Sequence, residues 1–370
     1  MKRIIFAVSF ALILTSSLNL LGDSKKLVTA SVIFRHGDRT PTKPININSY
    51  DWGLGLGELT PLGMKQEYEL GTFFRKRYIE ELKLITKNYD VNSLYVRTSN
   101  INRTLMSAES VLYGLYPAGT GPVLKNGEEA LPYRYQPVPV NSAELSSDIL
   151  LHSDHIYEKL LKKIITKYVF GSKTWLDKQK EVEKYFPLWS RISGLRIKEL
   201  DDAESFSAYM YICSLKGVIL PKEIDTPEQK AIILPLAAWI SAQKYEPQIT
   251  GYIVANKLIE RIIETSNESL EGYSKYKLFL YSAHDTNILA VMSALKVPLN
   301  ENPHYSSFLA FEIYQDEAKY YLKVVYNNDD VNLPIKDEGG YYEWEDFIRY
   351  YAEIDNAMSE KLKTLTSINK

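Results

Sequence analysis

The sequence predicts an α/β protein: a central, mostly parallel sheet flanked by helices, with a helical insertion that caps it. Three observations lead to that class. Residues 27–34 and 277–283 are nearly unbroken apolar or small runs, the composition of strands covered on both faces. Each strand-like run gives way at once to a polar turn and then to a helical pattern, the alternation expected of an α/β sheet. Residues 141–243 change texture to helical stretches with scattered Trp175, Trp189 and Trp239 and little that reads as a buried strand. The expected organisation is therefore a core built from residues 23–140 and 244–370, with residues 141–243 as the cap, in a chain of 370 residues.

Met1, Lys2 and Arg3, an apolar run over residues 4–14 and a small, polar stretch after it read as a secretory leader over residues 1–22, cut between Ser17 and Ser24. The apolar run is shorter than the ~20 residues that span a bilayer, so the cleaved chain is expected in the periplasm or outside the cell, without stable membrane association. Cys213 is the only cysteine, so the exported chain forms no internal disulfide and depends on its core. With 44 Lys and Arg against 46 Asp and Glu, no general affinity for nucleic acid is expected, and any attraction for phosphate has to be local.

Residues 27–34 form the first predicted strand and stop at Arg35-His36-Gly37. Thr60-Pro61 then supplies a cap and a first-turn proline for a helix whose buried face is read as Leu62, Leu70, Phe73 or Phe74, and Tyr78 or Leu82. A short strand over residues 92–96 passes through Arg97-Thr98-Ser99 into a helix that begins near Asn102 and stops before Pro117. The strand over residues 277–283 ends at His284-Asp285-Thr286-Asn287 and leads into a helix over residues 288–295. Residues 308–313 and 320–326 read as a hairpin about Gln315-Asp316-Glu317, and residues 344–354 as a closing amphipathic helix. All three polar turns fall at strand carboxyl ends, where open α/β sheets bind their ligands.

The densest of these turns is Arg35-His36-Gly37-Asp38-Arg39-Thr40-Pro41. Guanidiniums one residue before and three after a histidine make a pocket for a dianion around a potential nucleophile. Other clusters carry less. His152 and His155 lie three apart and could share a metal, but no acidic or cysteine cluster completes the set and His304 lies in a different region, so a place on the surface or rim of the insertion is expected. Gly53-Leu54-Gly55-Leu56-Gly57 lacks dinucleotide-loop spacing and reads as a flexible rim. The chain has neither a G-x-S-x-G elbow nor a complete P-loop, which sets aside serine hydrolases and P-loop NTPases.

The heptapeptide resembles the signature of the histidine acid phosphatases, the branch of the histidine phosphatase superfamily that includes prostatic and lysosomal acid phosphatases and bacterial phytases. Residues 58–64, 102–108 and 281–286 also resemble that family, in its order. The resemblance implies a phosphoglycerate mutase-like fold. It makes His36 the nucleophile, Arg35, Arg39, Arg103 and His284 the phosphate-binding group, and Asp285 the proton donor. It implies no cofactor and no metal. Asn102 stands where close relatives often carry Asp, which removes one carboxylate near the pocket.

The implied substrates are small-molecule phosphate monoesters, and a homodimer is compatible with the family. Thr42 and Lys43 resemble the phytases, where these positions contact the inositol phosphate; the segments after Glu58 and Arg103 are closer to the prostatic and lysosomal enzymes. The sequence reading puts a broad-specificity acid phosphatase ahead of a phytase. A non-catalytic phospholigand-binding protein is the remote alternative, and both His36 and Asp285, which such a protein would be expected to lose, are present.

Overall fold

The computed structural model describes residues 25–45, 47 and 50–367, so the expected leader lies outside the described residues. The chain order is β1 (Lys26–Arg35), α1 (Pro61–Phe74), β2 (Leu94–Thr98), α2 (Asn102–Leu115), then α3 (Ser153–Ile156), α4 (Glu158–Ile165), α5 (Lys173–Val182), α6 (Phe186–Ser193), α7 (Glu204–Leu215), α8 (Pro227–Tyr245) and α9 (Gln248–Leu270). It closes with β3 (Leu278–Ala283), α10 (Asp285–Ala294), β4 (Phe308–Asp316), β5 (Lys319–Tyr326), β6 (Asp329–Asp330), β7 (Tyr342–Glu343) and α11 (Trp344–Ser367).

The sheet runs β2-β3-β1-β4-β5-β6, with β7 beside β5. The half made of β2, β3 and β1 is parallel, as the sequence predicts. From β4 onward the pairing is antiparallel, so the sheet is mixed where it was expected to be mostly parallel. A run buried on both faces, such as Phe308 to Ile313, has the same composition in either orientation, and only its partner decides direction.

Helices cover both faces. On one, α1 and α2 close over Val32, Phe34, Val96 and Leu280; on the other, α9, α10 and α11 cover Ile33, Phe279, Tyr281 and Phe311. The α1/α2 contact is close because Gly71 and Gly114 lie at the crossing, where an added Cβ would come within 2.0 Å of Val111 O and 2.2 Å of Tyr68 O, respectively. Helices α5 to α8 gather around their own apolar cluster, which includes Trp175, Trp189, Phe206 and Ile240.

Thr60 caps α1 as read from the sequence, its hydroxyl accepting from Gly63 N at 3.1 Å. The buried face holds at Leu70, Phe74 and Tyr78 and differs at its start: Leu62 is exposed, and Gly63, Glu67 and Gly71 also point inward. The helix then widens into π-turns over Arg75–Glu81, which carry Arg77 and Tyr78 beneath the sheet. There Arg77 grips the fully buried Glu312 of β4 through two bonds of 2.6 and 2.7 Å, while the hydroxyls of Tyr78 and Tyr314 each donate to it at 2.9 Å. Such a carboxylate is tolerated in the core only because each oxygen is paired. Replacement of Arg77 by Met should cost about 3–5 kcal/mol in denaturant unfolding, and the Arg77→Met/Glu312→Leu double variant should recover most of that loss.

Candidate active site

The parallel strands β2, β3 and β1 end side by side, and each delivers part of one site. His36 follows β1, and its backbone N–H still reaches Ala283 O of β3 at 3.1 Å; beyond β2, Ser99 N reaches Ser282 O at 3.2 Å. The turn after β1 packs directly on the start of α1. A Cβ on Gly37 would fall 2.5 Å from Gly63 O, and one on Gly63 would fall 2.2 Å from Asp38 O. Neither position has room for a side chain, so the loop that carries His36 is pinned to the helix by mutual close approach.

His36 is buried, and its Nδ1 lies 2.8 Å from Gly37 O. A carbonyl only accepts, so this contact puts the proton on Nδ1 and leaves Nε2 with its lone pair. Burial, then the charges of Arg35, Arg103, His284 and Arg39, hold the imidazole well below its ordinary pKa. His284 ends β3 and caps α10; its Nε2 meets Ser99 Oγ at 2.9 Å and its Nδ1 lies 3.4 Å from Arg103 Nη2. Burial and the Arg103 charge bring it down to about 3, against a smaller opposing pull from Asp285. The two rings stand edge to face, centroids 5.5 Å apart.

Three guanidiniums converge here with little acidic compensation. Arg35 meets Asp285 at 2.7 Å, donates to Pro303 O and lies 4.4 Å over the Tyr305 ring. Arg39 Nη1 donates to Thr40 O at 3.0 Å. Arg103 makes long contacts to Gly57 O and His284, its Nε is buried without a partner, and burial with the charges of Arg39 and Arg35 brings its pKa down to about 10. A cation pushed toward neutrality is a site that gains from an anion. Asp38, in the same loop, does not supply one to the pocket: Thr60 Oγ1 and Lys216 Nζ of the cap both bond its buried carboxylate.

Asp285 opens α10. Its Oδ2 accepts from Arg35 and from Asn302 Nδ2 at 2.8 Å, and its Oδ1 faces the Thr286 N–H at 2.9 Å. Burial alone would raise its pKa, but Arg35, Asn302, Arg39 and His284 together outweigh burial and hold it at about 2. A cavity of about 610 Å³ opens from this group, lined by Arg35, Arg39, Asp285, Tyr305 and, from α7 of the cap, Ser205 and Tyr209.

A family model of the histidine phosphatase superfamily (branch 2) matches residues 26–147 and 128–327. The chain belongs to that superfamily. Its relatives include prostatic acid phosphatase of Mus musculus, 29% identical over 350 residues that cover 89% of this chain and 85% of the relative, and that of Homo sapiens, 29% identical over 328 residues, 84% and 80%. Solved structures with the same fold include Klebsiella sp. ASR1 phytase, TM-score 0.65 and 17% identity over 89% of this chain and 96% of that one. Hafnia alvei phytase in complex with tartrate aligns with TM-score 0.63 and 18% identity over 90% and 98%. As a histidine acid phosphatase the chain is a hydrolase, with phosphate monoesters as its substrate class.

Every residue that the family resemblance put at the phosphate, namely Arg35, His36, Arg39, Arg103, His284 and Asp285, lies in this one cluster. Thr42 and Lys43 line the same cavity, and Lys43 Nζ bonds Ser205 Oγ of the cap at 3.1 Å. The separation expected between His155 and His304 is corrected, since both line this cavity. His152 instead stacks on His155 with centroids 4.1 Å apart. Sequence reasoning missed Ser99, Asn302, Tyr305 and the Glu67–Ser306 contact of 2.7 Å beneath the loop, where burial pushes the Glu67 carboxyl well up. Only a serine just past a strand end, in Ser99, could have given a signal.

Both imidazoles resist protonation in the folded site, whereas an unfolded histidine takes up a proton near pH 6.5. Their contribution to stability is therefore complete above pH 6.5 and is lost as the pH falls toward the folded pKa, about 3 for His284. Thermal unfolding of wild type should show a falling Tm between pH 6.5 and pH 4, and His284→Asn should fall less steeply over the same interval.

Proposed function

We propose that the protein cleaves phosphate monoesters through a phosphohistidine on His36, with Asp285 as proton donor and then acceptor. The observation that carries this reading is the His36 tautomer: Nδ1–H is committed to Gly37 O, so the bare Nε2 stands among three guanidiniums. In the first half-reaction Nε2 attacks phosphorus, the ester P–O bond breaks, and the leaving oxygen takes the proton from Asp285. In the second, water attacks phosphorus, the P–N bond breaks, the water proton goes to Asp285, and phosphate leaves a neutral His36. Phosphoryl transfer asks the protein mainly for placement and charge, which Arg35, Arg39, Arg103 and His284 supply to the equatorial oxygens.

Asp285 starts ionised beside Arg35, so it gains its proton only when the substrate dianion arrives, engages Arg35 and adds negative charge nearby. That requirement favours turnover on the acidic side. We assign the chain to an exported compartment, a reading supported by the leader-like residues 1–22.

On substrate, the sequence reading placed a broad-specificity phosphatase first. The cavity supports the phytase alternative better: about 610 Å³ exceeds the need of a single phosphate, and Lys43, His155 and His304 extend positive or protonatable character beyond the cleavage point. Structures of the same fold include a Hafnia alvei phytase complexed with myo-inositol hexakis sulphate. Glu204 on the cavity wall is offset by Lys244 at 2.7 Å. The acid phosphatase reading keeps the support of sequence relatives at 29% identity.

Phosphate release from p-nitrophenyl phosphate should be abolished in His36→Ala, and persistence of wild-type turnover would sink the covalent route. Asp285→Ala should lose about 10²- to 10⁴-fold on alkyl esters and far less on aryl esters, whose leaving groups need no acid. In a kcat/KM comparison, phytate should exceed glycerol phosphate, and Lys43→Ala should reduce that preference.

A further inference from the structure

We infer that Asn302 is a positioning residue for Asp285: its amide holds one oxygen of the acid while Arg35 serves the phosphate, and so sets the carboxyl's orientation and its affinity for a proton. The inference rests on the phosphatase reading above. Asn302 lies between α10 and β4, and its Nδ2 donates to Asp285 Oδ2 at 2.8 Å, the same oxygen that Arg35 Nη2 meets at 2.7 Å. The amide has one attractive orientation here, since the reverse would set its oxygen against a carboxylate. That orientation leaves Asn302 Oδ1 buried without a partner, an expense that core amides rarely carry without a compensating contact.

The neighbours of Asn302 hold the other half of the pair. Pro303 O accepts from Arg35, and the Tyr305 ring lies 4.4 Å from its guanidinium carbon. When a phosphate dianion draws Arg35 away, Asn302 becomes the side-chain donor that remains on Oδ2. It therefore directs Oδ1, the other oxygen, toward the leaving group. Asp285 is also faced by Arg39 of the nucleophile loop, Arg103 of α2, His284 immediately before it and Tyr245 of α8. Asp154 and His155 of α3 and Glu301, His304 and Tyr305 of the loop before β4 lie around the same wall. These groups are common to wild type and variants, so a substitution at Asn302 isolates its own effect.

A hydrogen bond to the ionised carboxylate lowers its proton affinity, and its loss raises it. With glycerol phosphate as substrate, Asn302→Ala should move the alkaline limb of kcat, which reports the acid in the substrate complex, up by about one pH unit, and Asn302→Asp, of the same shape but charged, should move it further. On the acid side of that limb, where Asp285 is protonated in both proteins, the ratio of kcat on glycerol phosphate to kcat on p-nitrophenyl phosphate should fall in Asn302→Ala, with KM unchanged. A limb that stays in place in both variants, or an unchanged ratio, overturns the inference. Carbon-13 NMR titration of the Asp285 carboxyl in the unliganded proteins gives the same answer without turnover: a raised midpoint in both variants supports the role, an unmoved one ends it. If wild type hydrolyses no monoester, the phosphatase reading fails and the titration still decides what Asn302 does to Asp285. Should the alanine variant not fold, the isosteric Asn302→Asp carries the same comparison.

Discussion

Concentrated positive charge at the ends of three parallel strands is the constraint around which this protein is built. Burial, and then repulsion from Arg39 and Arg35 where solvent screening is weak, brings Arg103 down to about 10. Such a cluster persists only in a frame that does not relax. The frame comes from β1, β3 and β2 in register, from α1 pressed onto the nucleophile loop through Gly37 and Gly63, and from the buried Arg77–Glu312 pair that ties the end of α1 to β4.

The same charge sets the chemistry. Together with burial, the larger cause, it keeps His36 neutral, and the Gly37 carbonyl decides which nitrogen is bare. It also holds Asp285 ionised in the unliganded site; in the proposed mechanism, acid and nucleophile are therefore made ready by different events, the first by ligand binding and the second by folding. Asp38, the carboxylate closest in sequence to the nucleophile, is withdrawn from this balance by Thr60 and Lys216. Because Lys216 follows α7 and Ser205 lies on it, that helix region is bonded to the loop that carries His36 at both Asp38 and Lys43.

Much of this was legible from the chain. The strands before Arg35 and His284, the helix capped by Thr60 and the helix from Asn102 follow from local signals, namely apolar runs, a capping hydroxyl and a first-turn proline, and all are observed. The errors lie where a partner decides the outcome. Leu62 was read as core because it is apolar and lies about two turns before Leu70, yet Gly63 takes the inward place against the His36 loop, and a buried Glu67 takes another that hydrophobicity would refuse it. The hairpin of β4 and β5 was read correctly, but its antiparallel placement beside β1 was not, because burial on both faces leaves no mark of strand direction.

By itself the sequence determined the α/β class, the three polar turns at strand ends and the residues that gather there, because strand burial, helix capping and the heptapeptide around His36 are properties of short contiguous segments. Tertiary structure alone decided that Asn302 and Tyr305 grip Asp285 and Arg35, that His155 and His304 share one wall, and that Lys216 silences Asp38. These contacts join residues far apart in the chain through single side chains, and a lone Asn, Tyr or Lys in a loop carries no periodicity from which its partner could be read.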